Sequence, residues 1–272
     1  MKTILITGVA NGLGKELLAG AAAAGHEVIG LDCVELPESR GTVRYIRCDL
    51  RSRSERQHAI EQVFANHTRL DVLVNNAAIG TVTPLEYVDA SWIEDCITVN
   101  LTAPLALIRE VLPDMRRNGA GRIINISSLS SIASVPGTAV YAASKAGLER
   151  GSKILRAELR GTGISVGLVR LGRMRTDSYF RVGRMLRQQL GDGQYSGYKS
   201  IEDALWAVVN KTNVGLEPNE AARRVLEFAW TSRPRITIAP FGERVQASLA
   251  NRLPPLVLNG LMGLAGRMER PT

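Results

Sequence analysis

The stretch ILITGVANGLGKELL, residues 4–18, decides the fold of this chain of 272 residues. It begins with a short apolar, β-branched run, Ile4 to Ile6, which is typical of a buried strand when it ends at a glycine-rich turn. After the turn, Leu13, Leu17 and the alanines beyond them have the pattern of a helix packed closely on a sheet. The stretch therefore predicts a strand, a tight turn and a helix, in that order.

The turn itself, TGVANGLG over residues 7–14, has glycine at positions 8, 12 and 14. Glycine lets the backbone pass close to a ligand, and the amino terminus of the following helix offers free N–H groups to a pyrophosphate. A glycine triplet alone is a weak signal. This one lies between a predicted strand and a predicted helix, which is the context that a dinucleotide site requires.

A second predicted strand, Val28 to Leu31, ends at Asp32, eighteen residues after Gly14. An acid at this place accepts hydrogen bonds from the adenosine ribose of a dinucleotide and repels a 2′-phosphate. Asp32 therefore favours NAD(H), with NADP(H) as the open alternative. A solvated loop aspartate would explain the same residue without any ligand.

A third pattern, YAASK, places Tyr141 and Lys145 four residues apart. On a helix they would share one face, and the charge of the lysine would lower the tyrosine pKa from about 10 toward working pH. Ser128, thirteen residues before Tyr141, offers a hydroxyl that can hold the oxygen on which a proton is exchanged. Many helices show the tyrosine–lysine spacing by chance, so the pair gains its weight from the glycine loop before it.

Taken together, residues 2–176 resemble the short-chain dehydrogenase/reductase family, in the branch with a TGxxxGxG cofactor loop and a YxxxK active site. The resemblance implies an NAD(P)-dependent enzyme acting on CH–OH and C=O groups. It implies a single Rossmann-fold domain over residues 1–272, of the α/β class, with a doubly wound parallel sheet of about seven strands and helices on both faces. Residues 170–215 would then form the substrate-loop region and residues 243–272 an amphipathic C-terminal tail.

The same resemblance implies roles for individual residues. The implied catalytic residues are Asn100, which would complete a proton relay with the lysine through water, Ser128, Tyr141 and Lys145. The implied cofactor-binding residues are Gly8, Asn11, Gly12, Leu13 and Gly14 in the loop, Asp32, Asp49 and Leu50 on the adenosine side, Asn76, Ala77 and Ala78 after the fourth strand, Tyr141 and Lys145, and Gly172 and Thr176 near the nicotinamide. The resemblance implies no metal.

Two positions depart from the family pattern. Ala78 replaces the glycine of the family's NNAG turn, which adds one methyl group near the cofactor. Leu171 replaces the proline of the family's PG, which frees one φ angle and restores a backbone N–H. The second change leaves open the path of the loop that carries Thr176.

Composition agrees with a globular enzyme, since 45% of the residues are hydrophobic and the length is ample for a large core. The three cysteines are scattered without a CxxC pair, which predicts neither a disulfide framework nor a zinc site. No run of 18 apolar residues and no signal peptide is recognised, so the expected location is cytoplasmic. The net charge of +8 is spread widely and lacks aromatic interleaving, so no nucleic-acid partner is expected.

Two regions leave alternatives open. The segment that follows the predicted sixth strand, Ile164 to Val169, contains one acid, Asp177, and six arginines, at positions 170, 173, 175, 181, 184 and 187. Arg173 and Arg175 are candidates for contact with a pyrophosphate or an anionic substrate, but a solvated amphipathic helix explains the pattern equally. The apolar tail at 243–268 would cover the substrate cleft, pack against another subunit or lie on a membrane surface, and the first two are favoured.

The leading hypothesis is an NAD(H)-dependent oxidoreductase that interconverts a secondary alcohol and a ketone on a fairly hydrophobic small molecule, with Tyr141 as general acid and base. The enzymatic alternative is an NADPH-dependent reductase of 3-oxoacyl thioesters, against which Asp32 counts. A non-catalytic dinucleotide sensor is less favoured, because the chain keeps the Tyr–Lys pair. The family resemblance also implies a homodimer or homotetramer.

Overall fold

The computed structural model describes residues 1–35, 38–65, 69–176 and 215–230, and the backbone of 235–238. Within these ranges seven parallel strands form one sheet, in the order β3-β2-β1-β4-β5-β6-β7. The strands are β1 Thr3–Thr7, β2 Glu27–Asp32, β3 Val43–Arg47, β4 Val72–Asn75, β5 Gly121–Ser128, β6 Ile164–Leu171 and β7 Arg235–Ile238. The predicted fold class is confirmed. The strand order reverses between β1 and β4, which opens a crevice at their carboxyl ends.

Helices cover both faces of the sheet. The longer ones are α1 Gly12–Ala23, α2 Arg53–Phe64, α3 Ala90–Ile97, α4 Ala103–Arg117, α5 Ala139–Glu158 and α6 Pro218–Trp230, and a short 3-10 helix spans Leu129–Ser131. Helices α1 and α6 bury their apolar residues against one face, and α2, α4 and the carboxyl half of α5 against the other. The sheet is therefore the middle of three layers.

Strand β1 shows why its run of apolar residues had to be continuous. Ile4 and Ile6 belong to the core under α1 and α6, whereas Leu5 between them belongs to the core under α2 and α4. Successive side chains of a strand point to opposite faces, so a strand covered on both sides needs apolar residues at every position.

One prediction about the helices was wrong. The sequence predicts breaks near Pro104 and Pro113 in the segment 90–117, but the backbone is helical throughout, with a π turn over Thr98–Thr102 that joins α3 to α4. The N–H of Ala103 donates to the first carbonyl of that turn, five residues back. Pro104 lies just after the π turn, where the regular α-helical hydrogen bonding is already interrupted. Pro113 lies inside α4 on its exposed side, where the carbonyl it leaves unpaired can be hydrated.

By length and composition alone, Ala90–Arg117 would also be long and apolar enough to cross a membrane. Its apolar residues have another environment here. Leu107, Ile108, Val111 and Met115 are part of the core beneath the sheet. The same composition serves a helix that packs inside a three-layer domain.

Several predictions lie outside the described residues. These are the loop at 191–199, the arginines at 181, 184 and 187, and the tail at 243–272. The single domain over residues 1–272 therefore stays a prediction for the whole length.

The packing of α6 on the sheet can be tested at Gly167 in β6. A Cβ atom there would lie 2.4 Å from Cε1 and 2.6 Å from Cζ of Phe228, whose side chain is buried. We expect Gly167→Ala to lower the free energy of unfolding by about 1–3 kcal/mol, because the ring must shift in a close-packed core. Urea denaturation measures this difference.

The matched control is Gly151→Ala on α5, where a Cβ atom would meet only Leu105 Cδ2, at an ordinary 3.6 Å. Alanine is the better helix residue, so the free energy of unfolding should stay the same or rise by up to about 1 kcal/mol. An equal loss in both variants would contradict the proposed packing.

Candidate active site

The glycine loop closes on itself so tightly that side chains cannot fit. Gly8 and Gly12 have φ angles of +74° and +53°, in the left-handed region that favours glycine. A Cβ atom on Gly14 would lie 1.8 Å from the carbonyl oxygen of Gly8. The N–H of Gly8 donates to the Leu31 carbonyl at 2.7 Å, which fixes the loop to the end of β2.

The amino terminus of α1 opens onto this loop. Asn11 precedes the helix, is exposed, and caps no N–H with its side chain within the described part of the chain. The first turn carries no acidic residue, so its N–H groups meet no competing carboxylate there. Leu13 is buried in the core and holds the turn from below. This cradle fits the pyrophosphate of a dinucleotide.

The turn after β4 holds the loop from the other side. Asn76 Nδ2 donates to the carbonyl oxygens of Thr7, at 2.9 Å, and Gly8, at 3.0 Å. Thr7 Oγ1 accepts from the N–H groups of Asn76 and Ala77, at 3.0 Å each. Ala78, where the family pattern has glycine, is exposed beside this turn. The sequence analysis missed Thr7, although a polar residue at the end of an apolar strand could have indicated it.

On the adenosine side, Asp32 lies at the carboxyl end of β2, half-buried. Its Oδ2 accepts from the N–H of Ala10 at 2.9 Å, so the carboxylate also supports the glycine loop. Arg47 is its partner in register on β3, and Arg47 Nε lies 3.3 Å from the Cys33 carbonyl. An acid and an exposed cation therefore lie side by side at this end of the crevice.

Asp49 and Leu50 follow β3. Leu50 is buried, and Asp49 binds Arg51, whose Nη2 lies 2.7 Å from Asp49 Oδ2. That hydrogen bond holds the pKa of Asp49 below its ordinary value. Arg51 also reaches Asp95 on α3, at 3.0 Å. The family pattern implies that Asp49 contacts the adenine ring. The Asp49 carboxylate would then bind both the adenine and Arg51.

Tyr141, Lys145 and Ser128 meet at the carboxyl ends of β4 and β5. Tyr141 and Lys145 lie on the first two turns of α5, and Ser128 is the last residue of β5. The Ser128 hydroxyl is close enough to the Tyr141 phenol to lower the pKa of that phenol. Lys145 Nζ donates to the Ile126 carbonyl at 2.9 Å and lies 5.9 Å from the centre of the Tyr141 ring. The structure thus brings the three predicted catalytic groups together.

The electrostatics of this group differ from the sequence-based expectation. Burial raises the pKa of Tyr141, and the hydrogen bond from Ser128 opposes that shift. Burial also lowers the pKa of Lys145 to about 8. Both shifts have one cause, since a site that excludes water disfavours the charged form of each group. Ser128 is a neighbour that lowers the Tyr141 pKa.

Asn100 lies in the π turn and is fully buried. Its Oδ1 accepts from the N–H of Ile79 at 2.9 Å, and its Nδ2 donates to the Ile79 carbonyl at 2.8 Å. The same Nδ2 lies 3.0 Å from Ser144 Oγ, next to Lys145 on α5. Asn100 therefore ties the segment after β4 to the catalytic helix. Its part in a proton relay stays a prediction.

Gly80 is a site residue that the sequence analysis missed. A Cβ atom at this position would lie 2.7 Å from Cδ2 of Tyr141, so the backbone of Gly80 packs directly on the phenol ring. No local pattern distinguishes this glycine, because its contact is with a residue 61 positions further along the chain.

Thr176 lies against the glycine loop, and its contact with a nicotinamide stays a prediction. A Cβ atom on Gly12 would lie 3.4 Å from Thr176 Cγ2. With leucine in place of proline, β6 runs to Leu171, which pairs with Ser128, and Gly172 follows at the strand end. A parallel bridge between Met174 and Leu216 then holds the segment.

Two of the six arginines, Arg170 at the end of β6 and Arg175 after it, have acidic partners within the chain. Arg175 Nη1 lies 2.7 Å from Glu217 Oε1 at the surface, and Arg170 binds Glu149 in the interior. Contact of Arg173 or Arg175 with an anionic ligand stays a prediction.

A crevice that receives a pyrophosphate at one end and exchanges a proton at the other suits hydride transfer to and from a nicotinamide. The fold and the site thus define an oxidoreductase of the NAD(P)-dependent class. Comparison with known proteins narrows the class. The model for short chain dehydrogenases matches residues 2–185, and this chain belongs to the short-chain dehydrogenase/reductase family.

Curated relatives carry the names of dehydrogenases and reductases. The chain is 30% identical over 250 residues to the short-chain dehydrogenase/reductase olcF of Penicillium canescens, covering 86% of this chain and 92% of that protein. It is 34% identical over 173 residues to a 3-ketodihydrosphingosine reductase of Bacteroides thetaiotaomicron, covering 64% of each. It is 32% identical over 177 residues to the ketoacyl reductase HetN of a Nostoc species, covering 62% of each. The matches thus span less than two thirds of the last two proteins.

Solved structures agree on the fold. A short-chain dehydrogenase from Streptomyces avermitilis has a TM-score of 0.72 at 25% identity, over 98% of this chain and 96% of that one. A metagenomic short-chain oxidoreductase in complex with NADP has a TM-score of 0.67 at 25% identity, over 87% and 96%. A 4-hydroxyisoleucine dehydrogenase complexed with NADH has a TM-score of 0.71 at 22% identity, over 88% and 97%. The neighbour in complex with NADP supports a nicotinamide dinucleotide as cofactor.

The cradle can be tested with Gly14→Ala. The added methyl group would collide with the Gly8 carbonyl, so the loop must move from where a pyrophosphate would lie. We expect the affinities for NADH and NADPH both to fall by about 10-fold or more, since displacing one or two backbone hydrogen bonds to a charged ligand costs about 1.5–3 kcal/mol. Fluorescence titration measures both.

Gly20→Ala, on the same helix, is the control. There a Cβ atom would meet only the end of the flexible Leu226 side chain, at 2.8 Å, far from the loop. Its dinucleotide affinities should match those of the wild type. Wild-type affinity in Gly14→Ala would show that the loop does not cradle the cofactor.

Proposed function

We propose that this protein interconverts a secondary alcohol and a ketone on a fairly hydrophobic small molecule, with NAD(H) as its cofactor. The observation that carries the proposal is the convergence of the Ser128 hydroxyl, at the end of β5, and the Tyr141 phenol, on the first turn of α5, in a site where burial raises the pKa of the phenol and Ser128 lowers it. Two hydroxyl groups so placed can both bind one substrate oxygen.

When bound, the cofactor supplies or accepts the hydride. In reduction, the Tyr141 phenol donates its proton to the oxygen that becomes a hydroxyl, and in oxidation the phenolate removes that proton. Ser128 holds the same oxygen and stabilises its developing charge. The glycine loop, Asp32, Lys145 and Thr176 would hold the cofactor. Asn100 keeps Ser144, and with it this part of α5, against the segment after β4.

Lys145 gives the phenolate its nearest compensating charge. Burial makes a phenolate costly, so Tyr141 loses its proton readily only when a positive charge stands close by. Lys145 lies on the same face of α5 and, with a pKa of about 8, is mostly protonated at pH 7. Oxidation would therefore use the two groups as a coupled pair.

Apolar residues beside Tyr141 support a hydrophobic substrate. A small cavity next to the phenol is lined in part by Leu85, Val88 and Trp92. Leu85 and Tyr87, in the segment that borders it, expose 56% and 49% of their surfaces. Exposed apolar side chains at the mouth of a site favour an apolar ligand. Two of the relatives are, by name, reductases of keto compounds.

A reductase of 3-oxoacyl thioesters that uses NADPH is the second candidate. The observation that favours it is Arg47, an exposed cation beside Asp32 that could bind a 2′-phosphate. A ketoacyl reductase among the relatives and a neighbour complexed with NADP point the same way. Asp32 opposes it, because its carboxylate would repel the phosphate.

The proposal includes a homodimer or homotetramer in the cytoplasm. Leu105 on α4 and Ile154 on α5 are 40% and 48% exposed, and a partner copy would cover apolar side chains of this kind. Contact of the tail with a membrane surface is not favoured, and no nucleic-acid partner is proposed.

Tyr141→Phe tests the proton transfer. Removing the phenolic hydroxyl should lower kcat by about 10²–10⁴-fold, the usual contribution of a general acid or base, with little change in NADH affinity. Steady-state assays with a panel of hydrophobic secondary alcohols and ketones measure this loss.

Ser128→Ala extends the same test to pH dependence. Since Ser128 lowers the Tyr141 pKa, removing its hydroxyl raises that pKa, and the rising limb of the oxidation rate should move to higher pH. Full turnover by Tyr141→Phe would overturn the mechanism.

Cofactor preference can be tested by comparing Asp32→Ala with Asp32→Asn. Either variant loses the charge that repels a 2′-phosphate, so NADPH should bind more tightly than to wild type. Asp32→Asn keeps an oxygen that can accept from the N–H of Ala10 and so preserves the loop. Asp32→Ala should also lose about 10-fold in NADH affinity, because a charge-assisted hydrogen bond is worth about 1.5 kcal/mol or more.

Side-by-side titration with NADH and NADPH gives these affinities. Tighter binding of NADPH than of NADH by the wild type would contradict the preference and make the thioester reductase the leading candidate.

A further inference from the structure

A buried ion pair lies directly behind Ser128. Glu149 stands one turn after Lys145 on α5, and Arg170 is the second-last residue of β6; their side chains are 4% and 8% exposed. Arg170 Nε donates to Glu149 Oε1 at 2.5 Å, and its Nη2 donates to Oε2. No other ion pair between described residues is as buried on both sides.

The same carboxylate binds the chain on both sides of Ser128. Glu149 Oε1 also accepts from Ser127 Oγ at 2.9 Å and from Ser131 Oγ at 2.5 Å. Ser131 Oγ lies 2.7 Å from the carbonyl oxygen of Ser128 itself, and its single proton is shared between the two acceptors. Ser128 is thus held between two residues that share one anchor.

Arg170 connects this anchor to the neighbouring strand. It pairs with Ser127 across β5 and β6, and the next pair is Ser128 with Leu171. The residues after Leu171 lead to Thr176 over the glycine loop. One ion pair therefore joins four parts of the site: the end of β5, the 3-10 helix after it, the end of β6 and helix α5.

Stability alone is a weak reason for such a pair. Burying two charges carries a desolvation penalty that their attraction roughly offsets, and apolar side chains of similar volume are often as stabilising. Burial opposes the charge of Glu149, yet hydrogen bonds from Arg170 and Ser131 more than compensate and hold its pKa below the ordinary value. The carboxylate stays ionised and can act as a fixed acceptor for both serines.

We infer that Glu149 and Arg170 are positioning residues of the active site: their ion pair fixes the Ser127–Ser131 turn and so sets where the Ser128 hydroxyl stands relative to Tyr141. This inference rests on the proposed function. The pair touches neither the phenol nor a substrate oxygen, and it acts through Ser128.

The deciding variant is the double substitution Glu149→Met with Arg170→Met. Either single substitution leaves one buried charge unpaired and is expected to destabilise the fold, whereas the double variant removes both charges at similar volume. We expect the double variant to fold but to lose about 10- to 100-fold in kcat, with KM changed by less than about 3-fold, because small displacements of a catalytic group have effects of this size. The rising limb of its pH profile for oxidation should move to higher pH, as in Ser128→Ala.

Ser152→Ala is the matched control. Ser152 is buried on α5, the helix that carries Glu149. It accepts a hydrogen bond of 2.8 Å from Asn125 in β5, away from the Ser127–Ser131 turn. It should lose some stability and leave kcat and the pH profile unchanged. Wild-type kcat and pH profile in a folded double variant would overturn the inference.

Hydrogen exchange separates this inference from the proposed function. If the wild type turned over no alcohol or ketone, the proposed function would fail, but the positioning of the turn could still be measured. Backbone amides of residues 127–132 should exchange faster in the double variant than in the wild type and in Ser152→Ala. Equal exchange in all three proteins would overturn the positioning role without any reference to turnover.

Discussion

The close approach of the backbone at Gly8, where β1 ends, is the constraint on which the crevice depends. The Gly8 N–H binds the end of β2, its carbonyl accepts from Asn76 after β4, and the same carbonyl nearly touches Gly14 at the start of α1. The end of β2, the turn after β4 and the start of α1 thus all meet at Gly8, at the point where the strand order reverses. Because no side chain intervenes, the amino terminus of α1 stands at a fixed distance from the ends of both strands, and a dinucleotide can lie across them.

Helix α5 organises the other end of the crevice with polar contacts as well as apolar ones. Its buried polar residues are Ser144, Lys145, Glu149 and Ser152. The last three are hydrogen-bonded to consecutive residues of β5, Ile126, Ser127 and Asn125 respectively, and Ser144 is hydrogen-bonded to Asn100. Buried polar groups of this kind must all be satisfied, which makes their geometry more specific than that of an apolar interface. The hydrogen bonds therefore fix the rotation and translation of the helix relative to β5, and with them the positions of Tyr141 and Lys145, the proposed catalytic pair.

The sequence predicted what is encoded locally. The alternation of apolar runs, the glycine spacing and the YAASK pattern each lie within a few residues, and they gave the sheet, the loop and the Tyr–Lys pair. The partners of Glu149, Arg51 and Gly80 could not be predicted, because their contacts join residues 21, 44 and 61 positions apart. The expected breaks at Pro104 and Pro113 were wrong because proline was judged without its surroundings: one lies just inside a helix and the other on an exposed face.

The π turn at Thr98–Thr102 lets α3 and α4 direct their buried residues to different sides of one continuous helical segment. A π turn holds one more residue than an α-helical turn, so the pattern of inward-facing positions jumps by about 100° between α3 and α4. Helix α4 directs its stripe at the sheet and α2, while α3 faces α5. One continuous helical segment thus packs on the sheet through α4 and borders the candidate active site through α3. Deleting one residue from the π turn would make the segment more regular and would rotate α3 away from the candidate active site.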